Sequence, residues 1–212
     1  MINELCLKFG TDKSSELHNY AEKYESYFTP LKDAKIKILE IGIQNGFSLK
    51  TWESFFEKAE IFGIDINDCS RFNTERIKTF ICDQRNTSEL EKISKEFGPF
   101  DIIIDDGSHV SSDMKITFDC LFPLLNHGGL YIVEDLHCCY WQNFSKGNTD
   151  FMDMLKNLLD LTNSNGKCGL AEIKNIDKDG FYQEKRLGEM NWWEKSIQYI
   201  HLYRSIVFIK KN

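Results

Sequence analysis

The chain has 212 residues, a formal net charge of −7 and a globular composition, 42% hydrophobic and 28% charged. That length suits one domain with a full hydrophobic core, and the acidic balance gives no support to nucleic-acid binding, which asks for a basic face. No apolar run approaches the roughly 20 residues of a membrane span, and the start MINELCLKFGTDK lacks the layout of a signal peptide. Seven cysteines (Cys6, Cys69, Cys82, Cys120, Cys138, Cys139 and Cys168) form no CxxC pair and are odd in number. They read as reduced thiols of a cytoplasmic protein rather than a zinc site or disulfide framework.

Near the N-terminus, GTDK (Gly10 to Lys13) is a polar turn before Leu17, Tyr20, Tyr24, Tyr27 and Phe28, which fall at helical spacing. Ser14 or Ser15 is available as N-cap, and Pro30 ends the helix. Lys13 or His18 could reach a ligand from this loop; the bland alternative is a capped helix start.

Ile36 to Ile43, IKILEIGI, is the first strand, followed by a turn and a helix with Leu49, Trp52, Phe55 and Phe56 on one face. The turn reads Glu40-x-Gly42-x-x-x-Gly46, with Ser48 in the first helical turn. Glycines let the backbone approach a ligand, and the helix N-terminus behind them favours a carboxylate or phosphate. The second strand, Ile61 to Ile66, carries Asp65, 23 residues after Gly42, where an acid commonly takes two ribose hydroxyls. The third, Lys78 to Cys82, runs into Asp83 and Gln84, suited to an adenine edge. Three successive strands ending in polar residues on one sheet edge indicate a nucleoside-type cofactor.

The fourth strand lies in FDIIIDDGSH, Phe100 to His109. Its continuous apolar run reads as a strand buried on both faces of a parallel sheet. Two acids and an imidazole then fall where ligands sit in open α/β sheets, outside the strands' carboxyl ends. Ser111 or Ser112 would cap a helix bearing Met114, Phe118 and Leu121, which Pro123 should end or kink. After His127-Gly128-Gly129 comes the fifth strand, Leu130 to Val133, followed by Glu134-Asp135. Asp106 and Glu134 are 28 residues apart, close to the ~30 of a strand–helix–strand crossover. Asp106, Glu134 and Asp135 thus meet at one edge, where three carboxylates call for a cation. Oxygen ligands point to Mg2+, with Mn2+ or Ca2+ as alternatives.

A further helical stripe runs through Phe151, Met154, Leu155, Leu158 and Leu159, and residues 163–191 are polar and poorly periodic. Within 142–196 a substrate lid is expected, and within 1–30 a helical cap on a single domain, 1–212. Trp192 and Trp193 read as core aromatics, with a sugar-stacking surface as the alternative. SIQYIHLYRSIVFIKK closes the chain as an antiparallel hairpin turning near Tyr203-Arg204.

In this order the chain resembles the class I S-adenosylmethionine-dependent methyltransferases, through LEIG, the acid after the second strand and the terminal hairpin. Within them it is similar to the metal-dependent sugar O-methyltransferases of macrolide biosynthesis, grouped with the cephalosporin-hydroxylase-like and rhamnosyl O-methyltransferases. That match rests on GTDK with His18 and Tyr20, LEIG with Ser48-Leu49, IDDGSH, FPLL-x-x-GGLYIVEDL with Tyr140-Trp141, and HLYRSIVFIKK.

The resemblance implies an α/β Rossmann-like seven-stranded sheet in the order 3-2-1-4-5-7-6, with the last strand antiparallel and helices on both faces. It implies that Glu40, Gly42, Gly46 and Ser48 hold the methionine end of the cofactor, with Lys13 on the cofactor side. Asp65 would take the ribose, and Asp83 with Gln84 the adenine. Asp105 would serve the cofactor side or its own loop, Asp106, Glu134 and Asp135 would bind Mg2+ or Mn2+, and His109 would be the general base. Gln44 stands where many methyltransferases carry a glycine. The expected acceptor is a small saccharide-type molecule: a sugar hydroxyl, or a phosphate-type modification, of a natural product or cell-surface polysaccharide precursor. Self-association is compatible with all of this. Two other readings are a nicotinamide-dependent oxidoreductase, although the turn lacks GxGxxG, and a non-catalytic cofactor-binding subunit.

Overall fold

Seven strands form one sheet in the order β3-β2-β1-β4-β5-β7-β6. The computed structural model describes residues 1–145, 148–164 and 191–212. Strands β1 (Lys37–Ile41), β2 (Glu60–Asp65), β3 (Ile77–Ile81), β4 (Ile102–Asp105) and β5 (Leu130–Val133) are parallel. Strand β7 (Ile206–Lys211) runs antiparallel to β5 and to β6 (Ile197–Tyr203). This is the expected methyltransferase order with the expected reversed last strand.

Side-chain alternation along each strand divides the core. Leu39, Ile41, Ile103, Tyr131 and Val133 face α4 (Thr87–Phe97), α5 (Ser111–Leu121) and α7 (Asp150–Ser164). Ile38, Ile102, Ile104, Leu130 and Ile132 face α1 (Ile2–Phe9), α2 (Ala21–Phe28) and α3 (Phe47–Phe55). Both faces of the central strands are covered, which is why their sequences are continuously apolar rather than alternating.

Several local expectations change. Helix α2 begins at Ala21 without a side-chain cap, so neither Ser14 nor Ser15 starts it, and Leu17 is exposed outside it. Helix α1, unpredicted, packs Ile2 and Cys6 beside α2 in the same core. Ser111 is the first residue of α5 rather than its cap, and its hydroxyl accepts the Phe151 N–H. After α5, Phe122–Leu124 forms a 3-10 turn containing Pro123. Helix α7 buries Phe151, Met152, Leu155 and Leu158 in the core, so this part of 142–196 is domain body. Within that stretch, 146–147 and 165–190 with Cys168 lie outside the described residues. The same stretch begins and ends in the short helices α6 (Gln142–Ser145) and α8 (Trp192–Ser196). Trp193 stacks on Phe118 and Phe122 as a core aromatic, but Trp192 is exposed. The six described cysteines are free thiols. No helix among the described residues is long and apolar enough to cross a membrane.

Candidate active site

The carboxyl ends of β1 to β4 open into a cavity of about 490 Å3, walled by Gly42, Phe47, Asp65, Gln84, Gly107 and Thr11, among others. Its size lies within the usual range for small-molecule sites. At Gly42, φ is +89° and an added Cβ would lie 2.2 Å from the Asp106 carbonyl oxygen, so only glycine lets the β1 and β4 loops meet. Gln44, where a glycine was expected, adopts φ +48° itself. Asp65 braces this turn: Oδ2 accepts the N–H groups of Ile43 (2.9 Å) and Gln44 (3.1 Å), and Oδ1 those of Asn67. Partial burial pushes the Asp65 carboxyl up, but the N–H groups of Asn67, Ile43 and Gln44 outweigh it and hold it below its ordinary value.

Helix α3 points its N-terminus at the cavity through Phe47 and Ser48, with Gly46 as an N-cap that offers no side chain. Its first N–H groups therefore remain available to an anion. Glu40 does not line the cavity; it is buried beside it, accepting the Ser48 hydroxyl at 2.9 Å. Burial pushes the Glu40 carboxyl up to about 7, against the pull of Lys13. Asp83 lines the cavity and pairs with Arg85, whose hydrogen bonds lower its carboxyl to about 2. Gln84 serves the neighbouring loop: Oε1 accepts the Ser108 N–H at 2.6 Å, while Nε2 donates to Thr117.

Asp105 and Asp106 point to opposite sheet faces because side chains alternate along a strand. Asp105 falls on the α5 side, accepting from Gly107 and Gln84, with Oδ2 buried and unpartnered among the described residues. It does not line the cavity, so of its two expected roles the loop's own hydrogen bonding is the one observed. Burial raises its carboxyl to about 8.

Asp106 falls on the α1–α3 side with Glu40 and Glu134, and Lys13 sits among them. The Lys13 ammonium, 1% exposed, donates to Asp106 Oδ2 at 2.5 Å and Glu134 Oε2 at 3.0 Å, with Glu40 Oε1 at 3.9 Å. The Tyr24 hydroxyl donates to the other Glu134 oxygen. Lys13 was expected as a cofactor contact; it is among the residues that wall the cavity, but its charge is spent on carboxylates. Burial works against that charge, yet Asp106, Glu134 and Glu40 hold it well above the ordinary lysine value. One ammonium cannot neutralise the buried Glu40 and Glu134 together with the half-buried Asp106, so desolvation pushes Glu134 and Asp106 up as well.

Asp106, His109 and Asp135 present ligand atoms within 4.8 Å of one another, a group able to hold a metal ion. His109 (φ +56°) and Asp135 (φ +55°) both adopt the left-handed conformation, uncommon outside glycine, and this turns their side chains together. His109 Nε2 lies 3.7 Å from Asp135 Oδ2, and Nδ1 is buried without a partner among the described residues. Thus the described geometry gathers Asp106 and Asp135 with His109, while Glu134 is turned to Lys13 and Tyr24. The hydroxyl of Tyr20 donates to Asp135 at 2.7 Å, and the rings of His18 and His137 approach the same carboxylate. Those contacts escaped sequence reading. The available signal was that the buried stripe of α2 and its preceding residue carry Tyr, whose hydroxyl needs a partner, rather than Phe.

Beyond Asp135 opens a second cleft of about 920 Å3, lined by His18, Tyr20, His137, Tyr140, Trp141 and Tyr203 among others. Leu17 borders both cavities.

This architecture has close counterparts. The chain is 38% identical over 167 residues to 8-demethyl-8-alpha-L-rhamnosyl tetracenomycin-C 2'-O-methyltransferase of Streptomyces olivaceus, covering 74% of this chain and 44% of that protein. It is 31% identical over 225 residues to mycinamicin VI 2''-O-methyltransferase of Micromonospora griseorubida, covering 100% of this chain and 52% of the relative. The chain is thus similar, over most or all of its own length, to proteins named as O-methyltransferases. The structure of the methyltransferase MycE, from the mycinamycin biosynthetic pathway, in complex with Mg, SAH and mycinamycin VI, superposes with a TM-score of 0.85 at 29% identity. That match covers 100% of this chain and 53% of MycE. The chain therefore spans about half the length of the curated relatives it matches. No protein-family model matches it.

Proposed function

We propose that this protein is an S-adenosylmethionine-dependent, Mg2+-dependent O-methyltransferase acting on a sugar hydroxyl. The observation that carries this reading is the junction of two sites: a nucleoside-sized cavity at the Gly42 turn adjoining the convergent Asp106, His109 and Asp135. The relatives' names favour a sugar on a small natural product; a cell-surface polysaccharide or a phosphate-type acceptor has no counterpart among them.

The residues present fit both groups. The free N–H groups of α3 and the Ser48 hydroxyl suit the carboxylate of a methionine moiety. Asp65, kept anionic, is the acid placed for a ribose, with Asp83 and Gln84 at the adenine end. Two carboxylates beside an imidazole suit a hard divalent cation. Asp106 and Asp135 would hold it, and Glu134 would join them on leaving Lys13. When bound, the sulfonium supplies the methyl group and the cation stabilises the developing alkoxide.

The chain's own residues do the rest. His109 Nε2, the nitrogen facing Asp135, takes the acceptor's proton, and Asp135 stabilises the imidazolium so formed. Tyr20 fixes Asp135 by donating to its Oδ1. Trp141 and Tyr140, exposed in the second cleft, offer aromatic faces to the acceptor. Holding the hydroxyl in line with the methyl group supplies much of the acceleration.

Calorimetry with S-adenosylhomocysteine against NAD tests the cofactor, with binding of the first alone expected. Methyl transfer to a panel of glycosides, with Mg2+ and with EDTA, tests the reaction. NAD binding, or turnover indifferent to EDTA, would count against it.

A further inference from the structure

A lysine enclosed by acids is an internal cation, and its position matters to any other cation that uses the same acids. Lys13 touches Asp106 and Glu134 at 2.5 and 3.0 Å. Both Glu134 oxygens already have a donor, Lys13 on one and Tyr24 on the other. A divalent ion shared by Asp106 and Glu134 would bind carboxylates that Lys13 already pairs, and its charge would repel the ammonium at close range.

We propose that Lys13 is a built-in counter-ion that competes with the divalent cation for Asp106 and Glu134. This rests on the metal-site reading above. Without the ion, Lys13 keeps Glu40, Glu134 and the half-buried Asp106 together. With the ion, the ammonium leaves Glu134 and the carboxylate turns toward Asp135.

The exchange reaches the cofactor cavity. Lys13 lies in the loop whose Thr11, Asp12 and Leu17 wall that cavity. Its carbonyl accepts the N–H groups of Tyr20 (3.0 Å) and Ala21 (2.9 Å), and Asp12 accepts that of His18. The ammonium's contacts with Asp106 and Glu134 tie this loop to the strand ends, so releasing them loosens one wall of the cofactor site and links metal entry to the cofactor's surroundings.

Two measurements on the full chain decide this, both with the metal alone. Mn2+ binding, followed by electron paramagnetic resonance, should be at least about tenfold tighter in Lys13→Met than in the natural chain, because a like charge has been removed from the site. In the natural chain, amide hydrogen exchange over residues 11–21 should quicken when Mg2+ is added. Unchanged or weaker Mn2+ binding by a folded Lys13→Met overturns the competition, and so does unchanged or slower exchange over 11–21. The exchange result decides alone if the variant does not fold. Mn2+ binding by neither protein would overturn the metal site itself, and the competition with it.

Discussion

Replacing Asp105 by Asn should make the stability of this protein less dependent on pH. The side chain is 1% exposed and its Oδ2 has no hydrogen-bond partner among the described residues. Burial raises its carboxyl from 3.8 to about 8 in the folded state. A carboxyl raised on folding contributes stability that is fully present below its unfolded value and is lost as pH rises through its folded value. Each pH unit between the two costs about 1.4 kcal/mol. From pH 5 to pH 8 the natural chain should thus lose about 4 kcal/mol through this one group. Asparagine keeps an acceptor for Gly107 and Gln84 and cannot ionise. Urea unfolding at pH 5 and pH 8 measures the effect as the difference between the two proteins' losses, which cancels the contributions of Glu40 and Glu134. Parallel stability curves for Asp105→Asn and the natural chain would refute the claim that this carboxyl is folded as its neutral acid.

Gly42→Ala sets a methyl group 2.2 Å from the Asp106 carbonyl at φ +89°; we expect at least about 2 kcal/mol of destabilisation in urea together with loss of S-adenosylhomocysteine binding, and a variant as stable as the natural chain would contradict the close approach. Tyr24→Phe leaves one oxygen of buried Glu134 without its donor, a loss of about 1–3 kcal/mol readable as a lowered melting temperature. His109→Ala should leave S-adenosylhomocysteine affinity nearly unchanged while turnover falls by about 100-fold or more; a falling affinity with intact turnover would remove His109 as the base.

Much of this architecture could be read from local patterns. The apolar runs of β1, β4 and β5 have to be buried on both faces, and the strand-helix alternation leaves few sheet orders. The terminal hairpin follows from two strand-like runs joined by a short turn. Polar residues at successive strand ends mark one edge as the site because parallel strands all finish there. Thus Asp65, Asp83, Asp106, Glu134 and Asp135 could be assembled without coordinates.

What the sequence could not settle is which way each of these side chains faces and what meets it. Asp105 and Asp106 are neighbours in the chain but lie on opposite faces of the sheet, and only the packing of α5 on one side and α1–α3 on the other assigns each its company. His109 and Asp135 converge because both adopt the left-handed conformation, which no residue type demanded. Lys13 reaches Asp106 and Glu134 across sequence separations of 93 and 121 residues, beyond any local periodicity. The residues of the FDIIIDDGSH strand end, with the VED acids, determine by themselves that there is a charged site. Tertiary structure decides how its charges are shared, because the balance of buried charge depends on which groups end up within a few ångströms of one another.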